Sequence, residues 1–95
     1  MNHNKNYKIL KKFYKNKKIL ITGATGFKGA WLSFWLYKMG AKVSTIGNNP
    51  NKNKNLFYGL GLEKKTNLNI FNIRNFDKLN KLIQKTQPSV IFHMI

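Results

Sequence analysis

Lys18-Ile19-Leu20-Ile21-Thr22-Gly23-Ala24-Thr25-Gly26-Phe27-Lys28-Gly29-Ala30-Trp31-Leu32 is the stretch on which the fold turns. A short apolar run, long enough for one strand buried on both faces, stops at a turn whose glycines stand three apart, and a helical pattern begins at once. Strand, glycine turn and helix in that order put exposed backbone N–H groups and the positive end of a helix dipole at the tip of a strand. Such a place suits a phosphate. In that geometry Gly23 allows the sharp exit from the strand, Gly26 leaves room where a diphosphate must approach the backbone, and Gly29 lets the helix lie close on the sheet. The spacing is G-x-x-G-x-x-G rather than G-x-G-x-x-G, so the glycines alone also fit a tight turn that binds nothing.

Before the turn, residues 1–17 form a leader of Asn, Lys and Tyr. Ile9, Leu10, Phe13 and Tyr14 have helical spacing, but the composition predicts a basic, solvated, disordered tail, with residues 18–95 as the folded unit. After the turn, a helix is expected from Phe27 to about Met39, with Leu32, Trp35, Leu36 and Met39 on one stripe. Trp31 and Trp35 read as helix–sheet packing and Gly40 as a left-handed cap. A second strand follows at Ala41–Ile46, then a loop over 47–55 and one helical turn at Leu56–Leu60. A third strand is expected at Leu68–Ile73. Asn75 caps a helix carrying Phe76, Leu79, Leu82 and Ile83, with Asp77 in its first turn. The last strand is Ser89–Met94. Together these predict an α/β fold, the first half of a Rossmann-type doubly wound parallel sheet in the order 3-2-1-4, truncated so that strand four is an apolar edge.

With 95 residues and 42% hydrophobic content, the chain fits one small domain. The absence of cysteine excludes disulfides and thiolate metal sites and fits a cytoplasmic setting; no secretory or membrane-spanning run is visible. A net charge of +16 invites a nucleic-acid reading, but Arg74 is the only arginine and the lysines are spread over the whole length beside asparagine. That texture reads as drift toward A+T-rich codons, which the base composition of the gene would test. A basic module binding nucleic acid or other polyanions is the alternative function; otherwise attraction to polyanions is incidental.

Ile21 to Leu32 resembles the opening of the extended short-chain dehydrogenase/reductase superfamily, and Gly26-Phe27-Lys28-Gly29 followed by Trp31-Leu32 is most similar to the CDP-glucose 4,6-dehydratase family within it. The likeness continues through Met39-Gly40-Ala41-Lys42-Val43, Asn55-Leu56-Phe57, Asn72-Ile73-Arg74-Asn75 and Pro88 to Met94. It implies NAD, with NADP not excluded, held by Gly23, Thr25, Gly26, Phe27, Lys28, Gly29, Asn49, Asn72 and Ile73, the phosphate turn being supplied by backbone. It also implies a lyase acting on a nucleotide sugar: hydride leaves C4, water is lost across C5 and C6, and hydride returns at C6. This chain has Ala24 for the family's His, and Asn49 and Asn72 for its two acidic residues beside the adenosine. No tyrosine falls in the family's Tyr-x-x-x-Lys context, so no catalytic residue is assigned and the 95-residue chain is expected to be inactive alone. No metal, no membrane partner and no family-like homo-oligomer are expected. His93 reads as a packed histidine.

Overall fold

The computed structural model describes residues 3–48 and 55–94. Its elements are α1 (His3–Tyr14), β1 (Lys18–Thr22), α2 (Phe27–Lys38), β2 (Lys42–Gly47), α3 (Leu56–Gly59), α4 (Leu62–Lys65), β3 (Asn67–Ile70), α5 (Phe76–Thr86) and β4 (Val90–His93). The strands form one parallel sheet in the order β3-β2-β1-β4. This is the doubly wound half that the sequence pattern predicts.

Alternation along β1 decides how the layers attach. Ile19 and Ile21 point to one face, where Ala30 and Leu36 of α2, Phe57 of α3 and Leu62 of α4 close over them. Leu20 points to the other, against Leu82 of α5 and Ile46 of β2. Ile19, Leu20 and Ile21 are fully buried, as a central parallel strand requires.

Small residues set the distance of α2 from the sheet. Its buried positions are Gly29, Ala30, Ser33 and Leu36, and the Ser33 hydroxyl donates to the Gly29 carbonyl at 2.7 Å. Trp31 and Trp35, expected in the helix–sheet contact, are instead exposed. A helix that approaches on glycine, alanine and serine has no room there for an indole, so Trp31 stacks edge-on between Phe27 and Phe34 outside the core. Gly40 caps α2 as predicted: at φ +85° it donates its N–H to the Tyr37 carbonyl, and Ala41 donates to Leu36.

Two further expectations are corrected. Residues 3–14 are helical rather than a disordered tail, because Tyr14 packs against the core and Asn16, at φ 62°, turns the chain so that its N–H reaches the Gly40 carbonyl. The third strand stops at Ile70 and not at Ile73. Asn72 captures the chain beyond it: its side-chain oxygen accepts the Arg74 N–H and its carbonyl accepts the Asn75 N–H, so the ladder cannot continue.

Candidate functional site

The turn 23–26 stands where β1 ends and α2 begins. Gly23 has φ +69°, which lets the chain leave the strand abruptly. The Ala24 N–H donates to the Ile46 carbonyl of β2, and the Gly26 N–H donates to the Gly23 carbonyl. Gly26 is the N-cap of α2 in an extended conformation with no side-chain cap, so the first-turn N–H groups from Phe27 onward are left for a ligand or water.

The glycines do different work. A Cβ on Gly29 would stand 2.2 Å from the Gly23 carbonyl oxygen and 2.9 Å from the Ala24 Cα, so only glycine lets α2 cross the strand exit. A Cβ on Gly26 would meet only that same carbonyl, at 3.4 Å, an ordinary van der Waals contact. A second close approach involves Gly47, the last residue of β2, where a Cβ would fall 2.4 Å from the Thr25 methyl. Thr25 thus sits over Gly47, and Asn55 fixes its other side by donating from Nδ2 to the Thr25 carbonyl at 2.9 Å while accepting the Phe57 N–H. Neither Gly47 nor Asn55 was expected at the site from the sequence, although Asn55 carries part of the family likeness. Asn55 is legible as a helix cap, whereas the contact of Gly47 with Thr25 joins residues far apart in the chain and has no local signal.

Beside this turn, at the carboxyl ends of β1, β2 and β3, lies a cleft of about 280 Å³ lined by Gly23, Ile46, Gly47, Asn48, Phe71, Asn72, Ile73 and Arg74. An apolar cavity of about 350 Å³ adjoins it and shares Ile73 and Arg74, running past Thr22 to Ile91 and His93 of β4. Of the residues expected at the site, Gly23, Asn72 and Ile73 line the cleft. Thr25 stands over its floor at Gly47, and Gly26, Phe27 and Lys28 are exposed at the start of α2. Gly29 is buried beneath them and supports the turn from below. Asn49 lies outside the described residues. The Asn72 side-chain oxygen already accepts the Arg74 N–H at 2.9 Å, which leaves one lone pair for a further donor. His93 is exposed rather than packed, and its Nδ1 shares a hydrogen bond of 2.6 Å with the Thr22 hydroxyl.

A larger cavity, about 470 Å³, occupies the opposite end of the sheet and is ringed by Lys18, Lys42, Lys65 and Lys85. Helices α2 and α5 end there, so it faces carbonyls rather than N–H groups, and its lysines complement those helix ends. Size therefore does not mark the site. The carboxyl end, with a helix N-terminus and no Asp or Glu among the described residues lining either of its cavities, is where an anion gains from the fold. Among the described residues no group of three His, Asp or Glu side chains is placed to hold a metal ion.

A parallel sheet in the order 3-2-1-4 with a glycine turn at its crevice is the first half of a Rossmann-type domain. The sequence profile of the GDP-mannose 4,6-dehydratase family matches residues 20–94, and the chain belongs to that family. It is 40% identical over 86 residues to the CDP-glucose 4,6-dehydratase of Salmonella typhimurium (strain LT2), a match covering 90% of this chain and 24% of that enzyme. The chain thus spans about a quarter of the length of the curated relative it matches. A solved chain from Burkholderia cenocepacia J2315, assigned as an epimerase, superposes with a TM-score of 0.67 at 17% identity, over 86% of this chain and 26% of that one. That likeness is one of fold.

Proposed function

We propose that this chain supplies the coenzyme-binding turn of a CDP-glucose 4,6-dehydratase-type lyase, with NAD as the ligand of the carboxyl-end cleft. The contrast between Gly29 and Gly26 carries the reading. One glycine is demanded by packing, while the other is exposed and not demanded by packing at an uncapped helix N-terminus, where the missing side chain lets a diphosphate approach the backbone. The N–H groups of Phe27 and Lys28 would face the phosphates, Asn72 the adenine, and Gly23 and Ile73 the walls between them. When bound, NAD supplies a reversible hydride acceptor. The chain's own residues bind and orient it. Asn48 and Arg74 line the cleft without a carboxylate to repel a 2′-phosphate, so NADP is a competing ligand.

Binding without turnover is the expected behaviour of the 95-residue polypeptide. Tyr7 and Tyr14 lie on α1, Tyr37 borders the opposite cavity, and Tyr58 packs against the core beside Phe57, so no tyrosine lines the cleft or its apolar neighbour. Nucleotide-sugar chemistry of this class fits a cytoplasmic setting. Titration with NAD, with NADP and with CDP-glucose, followed by assay for a 4-keto sugar, tests the reading. Saturable coenzyme binding without product supports it, and product from the isolated chain would contradict the binding-only part.

A further inference from the structure

Helix α1 has two unlike faces. At about 100° per residue, Ile9, Phe13, Leu10, Tyr14 and Tyr7 fall within one arc of roughly 160°, and Lys8, Lys11 and Lys12 fall on the other side. Tyr14 anchors the end of the apolar arc to the core. The rest is open to water: Ile9 is 58% and Phe13 55% exposed, and Tyr7 and Leu10 are exposed with them. Lys17 holds its ammonium 4.8 Å from the centre of the Phe13 ring, so a cation flanks the apolar face as well.

A helix of this length gains little from propensity alone, and here it pays twice, in wet aliphatic surface and in lysines crowded along one flank with no acidic residue in its first turn. One kind of surface relieves both costs, apolar beneath and anionic at its rim. We propose that α1 lies in the plane of an anionic phospholipid surface, with Ile9, Leu10 and Phe13 at the boundary between headgroups and acyl chains and Lys8, Lys11 and Lys12 among the phosphates. The proposal runs against the expectation from the sequence that the chain has no membrane partner. The attachment is peripheral, since no helix among the described residues is long and apolar enough to cross a bilayer. Charge selects this occupant over the others. A second copy would bring +16 against +16, and a nucleic acid would engage the lysines while leaving Ile9 and Phe13 in water.

Flotation of the full chain with vesicles of phosphatidylcholine, and of phosphatidylcholine mixed with phosphatidylglycerol, tests the proposal beside a titration with duplex DNA. The chain should float with the mixed vesicles and not with phosphatidylcholine alone. The double variant I9S/F13S should lose about tenfold or more in partition while binding DNA as before. K8E/K12E, which alters only exposed side chains, should also lose partition and provides the result if I9S/F13S fails to fold by circular dichroism. Three results would overturn the proposal: no flotation of the native chain, flotation of I9S/F13S equal to native, or a native dimer that I9S/F13S converts to monomer.

Discussion

The two ends of the sheet are built from the same strands and behave oppositely. At the amino end the strands open on a wide cavity edged by four lysines and by the carbonyl ends of α2 and α5. At the carboxyl end the cleft is smaller, yet the chain there is held to tolerances of less than a methyl group at Gly29 and Gly47. Constraint, and not volume, is what distinguishes the carboxyl end. Helix direction explains the polarity: every right-handed crossover from a parallel strand delivers a helix N-terminus to the carboxyl end.

Gly29→Ala is expected to have the largest effect. The new methyl must displace backbone at Gly23 and Ala24, so destabilisation should reach about 3 kcal/mol or more, a fall in melting temperature of more than about 10 °C by calorimetry. A native-like melting curve would show that the close crossing of α2 is not required. Asn75→Ala, which removes the cap accepting the Lys78 N–H at 3.2 Å, should cost about 1 kcal/mol in urea unfolding and leave coenzyme titrations unchanged. At the amino end, Lys42→Ala should change stability by less than about 0.5 kcal/mol, because its side chain is exposed and its role is shared with neighbouring lysines. A large effect there would mean that the wide cavity is itself under constraint.

Much of the architecture was legible locally. The continuous apolar character of Ile19 to Thr22 reads as a buried parallel strand, Gly40 as a cap and Asn75 as a helix start, because each depends on a few adjacent residues. Trp31 and Trp35 were misread because the side of α2 that approaches the sheet is set by the smallest residues, Gly29, Ala30 and Ser33, rather than by the most hydrophobic. The early end of β3 was hidden for a related reason: Asn72 competes for backbone N–H groups that an apolar pattern assigns to the ladder. At the site, the glycine turn was readable, but the Thr25–Gly47 contact and the Asn55 tie depend on how a loop returns across the sheet, and no window of sequence contains both partners.

Isothermal calorimetry of NAD against the native chain and Gly26→Ala decides whether the glycine at the start of α2 serves a diphosphate. The added methyl meets only ordinary contacts, so the variant should melt close to the native temperature while its affinity for NAD falls at least about tenfold, as a side chain enters the space meant for the diphosphate. Equal NAD affinity in the two folded proteins, or no NAD binding by the folded native chain, would contradict that role.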